Sequence, residues 1–185
     1  APEALFQLGI AEEFAGNASQ AVKYYAEIGE RYPESQNAAK AEGAKRRLEL
    51  KGRPLALVAK TLEGKSLDTR SFGGRVVVLH YWASWSEPSV RDMSHLRDLQ
   101  AKFGARLALV GVNVDSDAAA ATKVVQQNRY SWSHLYSKGG MESQLANQLG
   151  VVSVPMMIVV DTTGKVVKTG VHSAELGALL SELIK

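Results

Sequence analysis

The spacing of apolar residues along the 185-residue chain changes near residue 52. Before this point apolar residues recur every three or four positions, and this period predicts amphipathic helices. Three helices are predicted, over residues 4–15, 19–31 and 35–50. Ser35 is the expected N-cap of the third helix, and Gly52, with Pro54 just beyond it, is its expected stop. The first fifty residues therefore predict a small all-α segment.

From residue 53 onward, short apolar runs alternate with stretches of helical period. Strands are predicted over residues 55–61, 66–67, 76–81, 107–114, 156–160 and 165–169. Helices are predicted over residues 88–103, 116–128, 142–149 and 173–185, with Ser116 and Ser173 as expected caps. This alternation predicts an α/β fold, in which a mixed β-sheet is flanked by helices on both faces. We expect one domain over residues 1–52 and a second over residues 53–185.

Composition and charge narrow the classes of partner. Apolar residues make up 45% of the chain, charged residues 22%, and the formal net charge is +3. No run of five or more Lys or Arg occurs, so nucleic acid is not an expected partner. The short cluster Lys45-Arg46-Arg47 is interpreted as a solvated helix face. No apolar stretch approaches the roughly 20 residues of a membrane span, so none is predicted. The chain begins with Ala rather than Met, so we expect a processed or shortened chain.

The chain contains no cysteine. Structural disulfides, thiolate metal sites and thiol nucleophiles are therefore excluded. The four histidines lack the spacing of a metal site, and we expect neither a metal nor another cofactor. A hydrolase triad of Ser86 with His80, His95 or Asp92 is not expected, because the G-x-S-x-G turn that such enzymes use is missing.

Several residues of the first segment fall at the spacing of a tetratricopeptide repeat, a helix-turn-helix of about 34 residues. They are Leu8, Gly9, Gly16, Ala21, Tyr25 and Pro33. The segment resembles one such repeat, followed by the helix that caps an array; the alternative is a plain helical hairpin with chance matches. One repeat cannot bury its own hydrophobic face. We therefore expect either further repeats upstream or packing on the second region or on a second copy, and the repeat is a candidate surface for a protein partner.

The stretch Trp82-Ala83-Ser84-Trp85-Ser86-Glu87-Pro88-Ser89 resembles the W-A-x-W-C-x-P-C segment of thioredoxin-like proteins. Its Glu-Pro pair is similar to that of exported thiol-disulfide oxidoreductases of the TlpA/ResA type. The segments 63–74, 112–115 and 153–155 also resemble parts of these proteins, in the right order. The resemblance spans residues 53–185 and implies a thioredoxin-like fold.

Ser86 and Ser89 stand where this family carries its two redox cysteines. The family's first cysteine lies at a helix N-terminus, where free N–H groups and the helix dipole stabilise a thiolate. A serine hydroxyl cannot exchange disulfides, so the chain as given should lack dithiol activity, although Ser86 can still cap the helix. Either the serines are native and the protein is a redox-inactive relative, or both cysteines have been replaced. Whether the protein is an enzyme therefore stays open.

The resemblance assigns further residues to a substrate groove. Pro155 corresponds to a proline that is cis and faces the active-site pair, and Val154 to the residue that offers its backbone to an extended substrate. The alternative for Pro155 is a trans proline that opens an edge strand. Trp85, Glu87 and Pro88 would flank the groove.

His80 lies six residues before Ser86, where thioredoxins carry an acid that moves protons. It is a candidate proton relay; the alternative is a core histidine bonded to a neighbour.

Two functions follow as hypotheses. The first is a thiol-disulfide oxidoreductase by family, inactive in this form, whose partners are protein or peptide thiols and disulfides. The second is a binding or scaffold module that holds an extended peptide in the groove and a partner on the helical repeat. The family resemblance implies a location in the bacterial cell envelope or periplasm.

Overall fold

The computed structural model describes residues 1–185. Seven α-helices form: α1 Pro2–Phe14, α2 Ala18–Arg31, α3 Ala38–Leu48, α4 Glu87–Phe103, α5 Ala118–Asn128, α6 Gln144–Gln148 and α7 Ser173–Leu183. Seven strands form: β1 Val58–Lys60, β2 Ser66–Asp68, β3 Val76–Trp82, β4 Leu107–Asn113, β5 Ser133–Tyr136, β6 Met156–Val160 and β7 Val166–Thr169. No helix has both the length and the apolar character that crossing a bilayer requires.

The chain forms two compact units. The helical unit comprises Ala1–Glu49 together with Met141–Val152, and the α/β unit comprises Leu50–Gly140 together with Ser153–Lys185. The segment Met141–Val152, which contains α6, therefore groups with the N-terminal helices although it lies far from them in sequence.

The core of the helical unit is small and lies between its helices. Phe6 of α1 packs against Tyr25 of α2, with ring centroids 5.8 Å apart. Tyr25 and Ala21, two of the residues that matched the repeat pattern, are fully buried. The Tyr25 hydroxyl donates a 2.6 Å hydrogen bond to Glu13, so the buried ring keeps a polar partner.

Helix α3 holds the segment Met141–Val152 through two long basic side chains. Lys40 donates to the Met141 carbonyl and to the Glu142 carboxylate, both at 2.6 Å. Arg47 donates to the Leu149 carbonyl at 2.9 Å and pairs with Glu13 at 2.9 Å. The interpretation of Arg47 as part of a solvated face is wrong, because the residue is only 6% exposed. Its charge is matched inside the unit by a carboxylate and backbone carbonyls.

The α/β unit is built on a five-stranded sheet in the order β5-β4-β3-β6-β7. Strands β3, β4 and β5 run parallel, whereas β6 pairs antiparallel with β3 and with β7. Strands β1 and β2 form a separate two-stranded sheet. All seven residues of β3 are buried, as the continuous apolar run predicted. The predicted class, a mixed sheet with helices and a preceding all-α segment, is confirmed.

Several predicted boundaries are wrong. Helix α3 begins at Ala38 rather than Ser35, and α5 is capped by Asp117, whose side chain accepts from the Ala119 N–H, rather than by Ser116. His172, not Ser173, is the N-cap of α7. Strand β5 was not predicted. Its four residues contain no apolar run. The segment is a strand because it pairs with β4, and this pairing is not visible in the local sequence.

Candidate functional site: a serine pair at the start of α4

The loops that follow β3 and β4 lie at the same edge of the sheet. Strands β3 and β4 are parallel, with Trp82 opposite Asn113, so both chains leave the sheet at the same end. The loop after β3 leads through Trp85 to α4, which begins at Glu87. The start of α4 therefore lies at the carboxyl edge of the central strands, where open α/β sheets commonly place their ligands.

Ser86 is the N-cap of α4, and Ser89 lies in its first turn. The Ser86 hydroxyl accepts from the Ser89 N–H at 3.4 Å and from the Ser89 hydroxyl at 2.9 Å. Ser86 is 7% exposed and Ser89 is fully buried. Pro88 fits between them because a residue in the first helical turn has no intrahelical acceptor for an N–H. The predicted cap is present, and the two hydroxyls lie within bonding distance of each other.

The proline loop meets this pair. The Val154–Pro155 peptide bond is cis. The Ser86 hydroxyl lies 3.4 Å from the Val154 carbonyl oxygen and donates to it. The Val154 N–H has no backbone acceptor within the chain. The structure thus brings Ser86, Ser89 and Val154 together.

Three further predicted site residues lie on the surface beside the pair. Trp85 is 64% exposed, which is unusual for so large an apolar side chain. Glu87 and Pro88 are also exposed, and Glu87 pairs with Arg91 one turn along α4 at 3.2 Å. The exposed indole supplies an apolar contact surface next to a buried hydroxyl pair.

His80 lies in the central strand β3, and it is only 1% exposed. The expectation that it bonds to a neighbour is wrong, since neither ring nitrogen has a hydrogen-bond partner. Burial lowers the pKa of His80 to about 3, with a smaller effect from His134. The imidazole is therefore neutral near pH 7, and no hydrogen bond links it to Ser86. The role of proton relay stays a prediction that this geometry does not favour.

Sequence reasoning missed the role of Asp115, which lies two residues after the end of β4. Its carboxylate accepts from the Ser84 N–H at 3.0 and 3.1 Å and from the Ser84 hydroxyl at 2.8 Å. It also accepts from the Asn113 side-chain amide at 2.7 Å. Asp115 is 3% exposed, so these donors match a buried charge. The signal in the sequence was an acidic residue just past the carboxyl end of a buried strand, because such a residue lies at the same sheet edge as the loop after a parallel neighbouring strand.

His134 of β5 was also missed as a partner of the motif. Its Nδ1 accepts from the Trp82 indole N–H at 3.1 Å, and the two rings meet edge to face. Trp82 is fully buried. The first tryptophan of the motif therefore has a polar partner in the core, while the second, Trp85, is exposed.

Comparisons with known proteins agree with this geometry. A family model described as thioredoxin-like matches residues 73–166, and a tetratricopeptide-repeat model matches residues 3–35. The second match confirms the predicted repeat-like segment. A thiol-disulfide oxidoreductase named ResA from Bacillus thuringiensis subsp. konkukian is 26% identical over 112 residues. The match covers 60% of this chain and 63% of that relative, which is less than two thirds of its length.

Solved structures show the same fold. The thioredoxin domain of a thiol-disulfide oxidoreductase from Bacteroides vulgatus has a TM-score of 0.65 at 18% identity. The match covers 73% of this chain and 98% of that domain. A thiol-disulfide oxidoreductase from Bacteroides fragilis has a TM-score of 0.63 at 24% identity, with 70% of this chain and 98% of that chain covered.

Proposed function

The chain belongs to the thioredoxin-like family, and on that premise we propose that it is a dithiol-inactive member which binds an extended peptide in the groove at Ser86 and Pro155. Without a cysteine, no thiolate is available to attack a disulfide. What remains is a shaped surface beside a cis proline, with an exposed Trp85.

The observation that carries this proposal is that the backbone groups of Val154 are almost without hydrogen-bond partners. Its N–H is unpaired by the backbone, and its carbonyl receives only a long 3.4 Å hydrogen bond from Ser86. A peptide in extended conformation can pair with both groups, as an added strand does at an exposed edge. The Trp85 indole, rigid and largely exposed, can then cover a peptide side chain, because tryptophan contributes large contact area at low entropic cost.

The test is selection of binders from a displayed library of linear peptides, followed by titration of the purified chain. Trp85→Ala should lower the affinity for the selected peptide by about tenfold or more, since buried aromatic anchors contribute about 2 kcal/mol or more to the free energy of binding. Ser94→Ala, an exposed change about two turns further along α4, is the control and should change the affinity little. Binding that survives both Trp85→Ala and N-methylation of the peptide backbone would contradict the groove as the site.

A second candidate function is the redox chemistry of the family, and the 2.9 Å separation of the two hydroxyl oxygens favours it. In the Ser86→Cys/Ser89→Cys variant, the residue 86 thiolate would attack a substrate disulfide and release one substrate thiolate. The residue 89 thiolate would then attack the mixed disulfide, releasing the second substrate thiolate and leaving an intramolecular disulfide. Insulin reduction in the presence of dithiothreitol, with each single cysteine variant as control, measures this. A folded double variant without turnover would remove this candidate and leave the peptide-binding proposal untouched.

We further propose that the helical repeat holds a protein partner and that the protein acts in the bacterial cell envelope. Both follow from the family resemblance alone. Fractionation of the native organism with an antibody against the chain tests the location.

A further inference from the structure

We propose that a cavity on the α/β unit, separate from the serine pair, binds a medium-chain carboxylate. The cavity has a volume of about 330 Å³ and touches Val77 and Leu79 of β3. Its other walls are the segment before β1, the turn after β2 and the turn between β6 and β7. Ser86 lies beyond the opposite end of β3, so this site is independent of the proposed peptide groove.

The walls of the cavity are mainly apolar. Strand residues alternate between the two faces of a sheet, so Val77 and Leu79 face away from the core that Val78 and Trp82 enter. Leu55, Ala56 and Phe72 complete the apolar lining. A volume near 330 Å³ lies at the small end of ligand pockets, which span roughly 300–1,000 Å³. The lining therefore suits a short aliphatic body.

Arg75 supplies the charge that selects an anion. Its guanidinium carbon lies 5.0 Å from the centre of the Phe72 ring, and the side chain forms no ion pair or hydrogen bond. Arg70 lines the same cavity but is already engaged, because it donates to both oxygens of Asp68. Arg75 is thus the cation of this cavity that has no carboxylate partner, and a ligand carboxylate is a matching bidentate partner.

The one carboxylate in the lining does not compete for Arg75. Asp161 accepts from the Thr163 N–H at 2.8 Å, from the Thr163 hydroxyl at 2.6 Å and from the Lys165 N–H at 3.1 Å. All three bonds are accepted by Oδ1; they keep the pKa of Asp161 below its ordinary value, and the carboxylate forms no ion pair with Arg75. The buried Thr69 hydroxyl accepts from the Leu57 N–H at 2.9 Å, which leaves its proton free to donate to a ligand.

The experiment is a titration of the full chain with octanoate, followed by backbone amide shifts in NMR. Saturable shifts are expected around Phe72, Val77 and Thr162. Arg75→Gln should lower the affinity for octanoate by about tenfold, which is the usual loss for one charged hydrogen bond. Arg70→Gln is the matched control and should change octanoate affinity by no more than about twofold, because the charge of Arg70 is already paired with Asp68. Octanol, which has the tail without the charge, should bind the parent and Arg75→Gln alike.

Three results would overturn the proposal: no saturable shift in the parent, equal losses from Arg70→Gln and Arg75→Gln, or shifts centred on Trp85 instead. A volume variant, Ala56→Phe, fills the cavity and should abolish octanoate binding while thermal unfolding shows a folded chain. Undiminished binding in a folded Ala56→Phe variant would equally place the ligand elsewhere.

Discussion

The buried carboxylate of Asp115 accepts hydrogen bonds from both the backbone N–H and the hydroxyl of Ser84, so the segment after β4 fixes the loop after β3. That loop carries Trp85 and Ser86 and ends in the cap of α4. The position of the serine pair therefore depends on a carboxylate that lies 31 residues after Ser84 in the chain.

Asp115→Ala should lower the free energy of unfolding by about 3 kcal/mol, because the Ser84 and Asn113 donors lose a charged acceptor. Urea unfolding measures the loss. The control is Asp117→Ala, which removes an exposed cap from α5 and should cost only about 1 kcal/mol. Equal costs for the two variants would mean that the Ser84 loop is held by other contacts.

Gly43→Ala should destabilise the helical unit by about 1–3 kcal/mol. A Cβ at this position of α3 would collide with the Asn147 carbonyl oxygen and crowd the Gly150 N–H, both of which are backbone atoms that cannot rotate away. Gly29→Ala in α2 is the matched control, since nothing beyond the neighbouring residues and backbone of its own helix lies within 4 Å of the added Cβ. It should stabilise by up to about 1 kcal/mol through helix propensity. Thermal unfolding of the two variants must shift in opposite directions.

The two buried histidines should make the fold sensitive to acid. Burial lowers the pKa of His80 to about 3 and that of His134 to about 4, whereas an unfolded histidine titrates near 6.5. Between these values the unfolded chain binds more protons, so their stabilising effect is complete above about pH 6.5 and is lost as the pH falls. Each histidine contributes a slope of about 1.4 kcal/mol per pH unit in this window.

His80→Leu and His134→Leu should each reduce that slope, measured by urea unfolding at about pH 5 and about pH 7. The two variants should differ in their free energy of unfolding at about pH 7. His80→Leu removes two unpartnered nitrogens and should be near neutral there, whereas His134→Leu leaves the Trp82 N–H without an acceptor and should cost about 1–3 kcal/mol. An unchanged slope in His80→Leu would show that this ring is hydrated in solution.

Ser86→Ala should lower the free energy of unfolding by about 1 kcal/mol, because the variant removes the N-cap of α4 and the acceptor of the Ser89 hydroxyl. Ser94→Ala, at an exposed position within the same helix, should be neutral or slightly stabilising. Chemical unfolding distinguishes them. A Ser86→Ala variant as stable as Ser94→Ala would show that the cap adds nothing.

The elements with strong periodicity were predictable from the sequence. The buried run of β3, the long amphipathic α4 and the cap at Ser86 were predicted to within a residue or two, since local pattern and chemistry agree there. Strand β5 was not, because its place depends on pairing with β4 rather than on its own composition.

The polar contacts inside each unit were the least predictable part of the structure. Arg47 resembled a surface charge because its partners, Glu13 and the Leu149 carbonyl, lie 34 and 102 residues away. Asp115 gave no sign of its role because its partners, Ser84 and Asn113, belong to a distant loop and to the end of β4. In both cases the sequence shows a charged residue, whereas only tertiary structure shows that it is buried and matched.

The inclusion of Met141–Val152 in the helical unit has a consequence for dissecting this protein. The helical unit is formed by two segments of the chain, Ala1–Glu49 and Met141–Val152, which are separated by about ninety residues of the α/β unit. A single cut near residue 50 would therefore not yield two intact halves. The shorter fragment would lack its last helix, and the longer one would carry Leu145 and Leu149, both buried in the whole chain, with the helices that accompany them removed. Such fragments should be prone to aggregation, so the two units are better studied by substitution than by truncation.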